Sequence, residues 1–188
     1  MYRTQIKFAV RLLLLITLTS LATTQALAFD RSGPELPPQC SSIRVAEGNK
    51  LAFHAYARGV QVYRWNAITF KWDFVAPVAT LFAEENYFGE VGMHYVGPTW
   101  ESKSGSKVQA TRVPGTGCTV DTTAIDWILL AQKQSDGPGV FASVTYIQRV
   151  NTTGGLAPST PGATHGEQQE IPYTAEYYFY RADRPSKE

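Results

Sequence analysis

The residues best suited to chemistry lie in one short stretch, residues 91–106. It combines a histidine, a carboxylate and two large aromatic side chains, namely His94, Tyr95, Trp100 and Glu101. Gly97-Pro98 separates the two pairs. Because glycine relaxes the steric limits on φ and proline fixes φ while removing a donor, this dipeptide predicts a sharp turn, which we call the corner. The corner is either a binding element or a folding element, and the residues alone leave both interpretations open.

His94 and Glu101 are candidates for proton transfer, since a histidine and a carboxylate can be poised near neutral pH. With Arg149 as a third candidate, they predict a secreted hydrolase or lyase. A metal site is not expected, because a cupin-type site needs histidines at i and i+2 on one strand face, and Val96 follows His94 there. We expect no cofactor either. The alternative role of His94 is structural, as a side chain hydrogen-bonded beneath the corner.

The aromatic side chains favour ligand binding, because Tyr and Trp combine a flat apolar face with a polar edge. We predict a binding surface made by His94, Tyr95, Trp100 and Glu101, with the Gly154-Gly155 loop beside it. Two or three of the four tryptophans should be buried, and Trp100 is expected at a surface cleft. The four are Trp65, Trp72, Trp100 and Trp127.

Arg149 follows a long alternating segment and has two interpretations. Its guanidinium could hold a ligand carboxylate through two parallel hydrogen bonds. It could equally pair with an internal acid such as Glu101 or Asp126. The second, structural interpretation is favoured.

The N-terminus predicts export. Three basic residues precede an apolar run at residues 12–22, and Ala26-Leu27-Ala28 supplies the small residues of a cleavage site. This indicates a signal peptide over residues 1–28, cut between Ala28 and Phe29, and a secreted or periplasmic protein. The run is too short for a membrane span of roughly twenty residues, which disfavours a retained signal anchor and leaves no span after cleavage.

The charge of the chain limits the classes of partner, and its two cysteines predict a disulfide. Cleavage would remove three of the 17 basic residues and none of the 16 acidic ones, leaving a net charge near −2 without a basic run. Nucleic acid is therefore not an expected partner. Cys40 and Cys118 are predicted to form a disulfide, because exported chains meet an oxidising compartment. Two buried thiols are the alternative.

The pattern of apolar residues predicts an all-β fold. Runs of period two, the period of a half-buried strand, are separated by Gly, Pro, Asn, Asp and Ser. They indicate a single-domain antiparallel β-sandwich of about nine strands, with a closed β-barrel as the alternative. The runs cover residues 51–57, 60–65, 71–75, 79–82, 91–96, 107–113, 125–132, 140–150 and 175–181.

The domain plan follows from these runs. After the signal peptide we expect an extended leader over residues 29–48, a β domain over 49–183 and a tail over 184–188. Arg58-Gly59 is predicted to be a tight hairpin turn, and residues 152–166 a long loop.

Four blocks in order resemble a family of secreted bacterial and fungal proteins known as domain of unknown function 3455. The blocks are Gly59–Tyr63, His94–Glu101, Gln148–Pro158 and Pro172–Tyr180. The resemblance implies an exported single domain and brings no catalytic residues. Members carry a cysteine shortly after the Gly-Gly-x-Ala-Pro motif, where this chain has Ser159–Gly162. The resemblance therefore adds nothing to the Cys40–Cys118 prediction.

Three functions remain open at the level of sequence. The leading hypothesis is a non-enzymatic protein that binds an extracellular saccharide or cell-wall component. The second is the hydrolase or lyase that uses His94 and Glu101. The third is a structural or stress-related envelope protein, which would need no ligand pocket. The oligomeric state is not indicated.

Overall fold

The computed structural model describes residues 33–183, in which eight antiparallel strands close into a barrel. Each strand pairs with the next along the chain, and the last pairs with the first. The strands are β1 (Asn49–Asn66), β2 (Lys71–Phe82), β3 (Glu90–Tyr95), β4 (Thr99–Ser102), β5 (Lys107–Arg112), β6 (Ile128–Asp136), β7 (Val144–Gly154) and β8 (Gln168–Ala182).

The fold confirms the all-β prediction and the barrel alternative, whereas the sandwich was wrong. The deciding feature is the pairing of β1 with β8, which runs from Asn49 opposite Ala182 to Arg64 opposite Gln168. This pairing closes the sheet on itself, so each of the eight strands described in residues 33–183 has a neighbouring strand on both sides. A sandwich and a barrel share the same alternation along each strand, so the pattern alone could not separate them.

The predicted hairpin at Arg58-Gly59 was also wrong, because β1 is one strand of 18 residues. Gly59 lies in its middle and has an ordinary negative φ. A Cβ at this position would lie 2.1 Å from the Val78 carbonyl oxygen and 2.5 Å from the Ala79 Cα. The glycine therefore permits close contact between β1 and β2, rather than a turn, and the first two predicted strands become one.

One end of the barrel interior, which we call the closed end, is filled by aromatic and aliphatic side chains. Phe179 is stacked on Phe53, with ring centroids 4.4 Å apart, and contacts Phe141 at 5.1 Å. Phe141 belongs to the β6–β7 connection and is buried, as is Val144 at the start of β7. This apolar plug lies where β1 begins and β8 ends.

A second apolar cluster lies outside the barrel wall, under the N-terminal segment. The predicted disulfide is present and joins Cys40 to Cys118. Residues 33–48 are not a uniformly extended leader, because Pro38–Ile43 forms a 3-10 helix. Ile43 is fully buried, and its carbonyl oxygen accepts a hydrogen bond of 2.7 Å from Gln148 Nε2. The segment packs against Trp127, Leu129 and Val150.

The other end of the barrel, the open end, carries the connections β1–β2, β3–β4, β5–β6 and β7–β8. The β7–β8 loop, residues 155–167, lies against the β1–β2 hairpin: Trp72 Nε1 donates to the Thr160 carbonyl oxygen at 2.9 Å. Before β6, residues 122–124 form a turn in which the Asp121 carboxylate accepts a hydrogen bond from the Thr123 amide at 2.7 Å.

The predicted signal peptide and its predicted cleavage position lie outside the described residues. Within residues 33–183, no helix combines the length and the apolar character required to cross a membrane.

Candidate functional site

A cavity of about 130 Å³ lies inside the barrel at the open end. All eight strands contribute side chains from their interior faces, and Pro98 contributes from the corner between β3 and β4. We call it the open-end cavity. Its lining residues are Gln61, Phe74, Pro77, His94, Pro98, Trp100, Arg112, Ile128, Leu130, Arg149 and Tyr177.

The corner is the turn of the hairpin between β3 and β4. Gly97 has a φ of +114°, as the corner prediction required, because a left-handed backbone conformation is open to glycine and costly for other residues. The two strands that it joins are in register with His94 opposite Trp100 and Tyr95 opposite Thr99. This register places His94 and Trp100 on the interior face, where both line the cavity.

His94 is buried and neutral. Its Nδ1 lies 2.9 Å from the Thr99 carbonyl oxygen, which can only accept, so Nδ1 carries the proton and Nε2 keeps a lone pair. Burial lowers the pKa of His94 to about 3; the hydrogen bond to Thr99 opposes this shift, and the charge of Arg149 adds to it. This geometry matches the structural interpretation of His94, although the side chain also borders the cavity.

Trp100 is not at a surface cleft, because its side chain is only 1% exposed. Its ring is stacked on His94 with centroids 4.1 Å apart, and Tyr177 contacts it edge-on at 5.4 Å. Three tryptophans are buried, as expected, but Trp72 is the half-buried one. The indole forms part of the interior wall of the cavity instead of an exposed platform.

Glu101 and Tyr95 lie on the outer face of the barrel, away from the cavity. Tyr95 donates its hydroxyl to Glu101 Oε2 at 2.7 Å, and Lys107 Nζ lies 3.4 Å from Glu101 Oε1. These contacts hold the pKa of Glu101 below its ordinary value, the tyrosine hydrogen bond most of all. The structure therefore separates Glu101 from His94, and the proton-transfer pair of the hydrolase hypothesis is not assembled.

Arg149 lines the same cavity as His94. The sequence could not show that the two residues meet there. Its Nη2 and Nε donate to the main-chain carbonyl oxygen of Asp126 at 2.8 and 3.2 Å. The guanidinium therefore binds a main-chain oxygen and does not form the expected ion pair with the carboxylate of Glu101 or Asp126. Arg149 is therefore held in place by a backbone contact that leaves its charge unneutralised.

Sequence reasoning missed three polar lining residues, Gln61, Arg112 and Tyr177. Gln61 could have been identified from the sequence. It alternates with Tyr63 and Trp65 along β1, so its side chain lies on the same face as these two buried side chains. A glutamine on the apolar side of an amphipathic strand is unusual and marks a buried amide. Arg112 and Tyr177 gave no such signal, since barrel closure alone brings β5 and β8 to the same cavity.

The Gly154-Gly155 loop borders the same site. A Cβ at Gly155 would lie 3.1 Å from Gln61 Cγ, and the Gly155 carbonyl oxygen accepts the Tyr63 hydroxyl at 2.7 Å. The loop therefore packs against the strand that supplies Gln61. The corner, which was predicted to lie next to this loop, supplies Pro98 to the cavity, and the strand before it supplies His94.

The chemistry available to the cavity is that of hydrogen-bond donors and apolar walls. Its lining contains no carboxylate, thiol or aliphatic hydroxyl. No group of three or more His, Cys, Asp or Glu side chains within residues 33–183 could hold a metal ion. The arrangement can bind and orient a molecule that carries acceptor atoms.

Comparison with known proteins identifies the chain at the level of a family. No curated protein and no solved structure matches it. Residues 46–181, which span every strand except the last residue of β8 and include all lining residues, match the family described as "Protein of unknown function (DUF3455)". The earlier resemblance is thereby confirmed: the chain belongs to the DUF3455 family.

Proposed function

We propose that this protein is an exported, ligand-binding β-barrel whose ligand enters the open-end cavity. One observation carries the proposal: the cavity wall contains buried donors that have no hydrogen-bond partner among the described residues, Gln61 Nε2 and Trp100 Nε1. Leaving such a donor unpaired costs about 1–3 kcal/mol. A bound molecule with acceptor atoms removes that cost.

The dimensions support a small ligand or the terminal group of a larger one. A cavity of about 130 Å³ is close to the roughly 150 Å³ that holds a benzene molecule in another protein. Phe74 at the rim is 55% exposed, and Arg112 beside it is exposed too, so the cavity communicates with solvent. A free small molecule or the end group of a cell-wall saccharide is the matching class.

Export rests on the predicted signal peptide, cut between Ala28 and Phe29. The Cys40–Cys118 disulfide is compatible with an oxidising compartment. The cavity favours ligand binding over the envelope-protein hypothesis, which required no pocket.

Tryptophan side-chain signals test the proposal. We would titrate uniformly ¹⁵N-labelled protein with monosaccharides, N-acetylated sugars, short cell-wall fragments and small organic molecules. A cavity ligand is expected to shift the indole N–H signal of Trp100. The indole signal of Trp127, which lies in the outer cluster, serves as the internal control. A panel in which no compound shifts Trp100 more than Trp127 would contradict the proposal.

Two neighbouring substitutions supply a matched control. Phe74 lines the cavity, whereas the adjacent Val75 does not, and both side chains are exposed. Phe74→Ala is expected to weaken binding of any ligand found by at least five-fold, and Val75→Ala to leave it unchanged. Equal effects of the two substitutions would place the ligand elsewhere.

A further inference from the structure

The charges that line the open-end cavity are all of one sign. Arg112 and Arg149 contribute two guanidinium groups, and the lining contains no Asp or Glu. Neither arginine forms an ion pair within residues 33–183, where the ion pairs involve other groups. An arginine is permanently charged in proteins, and a cation that loses water without an anionic partner is costly.

Each guanidinium donates to a backbone carbonyl oxygen, and Arg149 also contacts the phenol of Tyr177. Arg149 donates to the Asp126 carbonyl, and Arg112 Nε donates to the Thr116 carbonyl at 2.6 Å. Such contacts orient a guanidinium without neutralising it. The charge of Arg149 acts across the cavity, where it contributes to lowering the pKa of His94, after burial.

Two neutral side chains of the wall carry donors without a partner. Gln61 is 2% exposed and Trp100 is 1% exposed, and the unpaired atom of each is a nitrogen donor. Tyr177 is fully enclosed, and burial raises the pKa of its phenol, so its hydroxyl stays protonated at neutral pH. Together with the two guanidinium groups, these donors outnumber the ring lone pair that His94 contributes to the wall.

The remaining wall is apolar. Five lining side chains carry no polar atom, and they are Phe74, Pro77, Pro98, Ile128 and Leu130. Apolar walls with a few convergent donors are typical of sites for small organic molecules that carry one charged head group.

We infer that the open-end cavity binds an organic carboxylate, with the carboxylate group against Arg149 and the neighbouring donors of Gln61 and Trp100, and with a small apolar body against Phe74, Ile128 and Leu130. A carboxylate accepts up to four hydrogen bonds and forms its strongest ones with guanidinium groups. It supplies acceptors for the unpaired donors of this wall and the negative charge that the lining lacks. The inference rests on the proposed function and specifies its ligand class.

Paired acids and amides test this inference with the intact, disulfide-bonded protein. The probes are benzoate, cyclohexanecarboxylate and hexanoate, each compared at pH 7 with its primary amide, which has nearly the same shape and no charge. Binding is followed by the indole N–H signal of Trp100. At least one acid is expected to bind ten-fold or more tightly than its amide, and added salt should weaken that acid selectively.

Arginine variants assign the preference to a residue. Arg149→Gln is expected to reduce the acid-to-amide affinity ratio to about one, because it removes the charge that distinguishes an acid from its amide. Arg112→Gln, at the rim, should reduce the ratio by about two- to five-fold. Arg64→Gln is the matched control, because Arg64 is an exposed arginine of β1 that does not line the cavity, and it should leave the ratio unchanged.

The outcomes separate the carboxylate inference from the proposed function. Amides that shift Trp100 as strongly as their acids would overturn the carboxylate inference and leave a neutral-ligand site. A preference that survives in Arg149→Gln would overturn the assignment to Arg149. If no acid or amide moves Trp100, both ideas fail for small organic molecules. Should Arg149→Gln not fold, the wild-type ratio and its salt dependence still decide the question.

Discussion

The two ends of the barrel interior are built from the same strands, but their side chains differ in polarity and in hydrogen bonding. At the closed end, Phe53, Phe141 and Phe179 pack on one another and on aliphatic neighbours, and Phe179 also meets the rings of Trp100 and Tyr177. At the open end, the same strands β1 and β8 carry Gln61 and Tyr177, and an arginine projects from β7. Along β1, the lining changes from apolar to polar between Phe53 and Gln61.

This contrast shows which end stabilises the fold and which end is kept for a ligand. Burial of apolar area is the dominant favourable term in folding, and the closed end provides it without unpaired polar atoms. The open end retains donors and a positive charge that reduce stability when they are unpaired. Proteins keep such groups at functional sites, so substitutions at the two ends should have opposite consequences.

The largest effect is expected from truncation at the closed end. Phe179→Ala should lower the free energy of unfolding by about 3–5 kcal/mol, because it removes a fully buried ring and leaves a cavity against Phe53 and Phe141. Chemical denaturation at pH 7 measures the loss. Phe74→Ala is the control from the open end and should cost less than about 1 kcal/mol, since Phe74 is mostly exposed. Equal losses would remove the distinction between the ends.

Acid should weaken the open end through His94. Its pKa is about 3 in the folded protein and about 6.5 when unfolded, so between these values the unfolded chain binds more protons and stability falls as pH falls. Between pH 6.5 and pH 4 this single group should remove about 3 kcal/mol of unfolding free energy.

A His94→Gln variant isolates that contribution. The lowered pKa values of Glu101 and Glu176 act in the same direction and remain in the variant. The wild-type loss should therefore exceed the variant's loss by the amount assigned to His94. Parallel pH profiles, measured by urea denaturation, would show that His94 has the same pKa in the folded and unfolded states and would contradict this prediction.

A smaller effect is expected at the corner. Gly97→Ala should destabilise the protein by about 1 kcal/mol or more, because it places a side chain at a positive φ and within 2.7 Å of Gln109 Nε2. Gly105→Ala in the β4–β5 turn is the control: Gly105 also has a positive φ, but a Cβ there meets nothing within 4 Å. Melting temperatures should fall further for Gly97→Ala. The reverse order would mean that the corner relaxes freely.

The smallest effect on stability is expected from Gln61→Leu. The substitution removes a buried amide nitrogen that has no partner, so the unfolding free energy should stay within about 1 kcal/mol or increase. Gln148→Leu is the matched comparison, since Gln148 is equally buried and donates to the Ile43 carbonyl. It should cost about 1–3 kcal/mol. Similar losses in both variants would show that Gln61 is satisfied within the fold.

The sequence by itself determined the local features of this protein. Alternating apolar residues identified the strand regions, because side chains of a strand point to opposite faces with a period of two. Gly97-Pro98 identified a turn with positive φ, and Cys40 and Cys118 identified a disulfide. Four ordered blocks identified the family. All of these depend on neighbouring residues or on residue type alone.

Only the tertiary structure decided between sandwich and barrel, and with that the composition of the site. Closure depends on the pairing of β1 with β8, which are separated by more than a hundred residues and carry no pattern specific to closure. Glu101 lies outside and Trp100 inside because the register across the corner fixes which side each residue faces. The cavity joins Gln61, His94 and Arg149 from three distant strands, so its charge and its unpaired donors exist only once the barrel has closed.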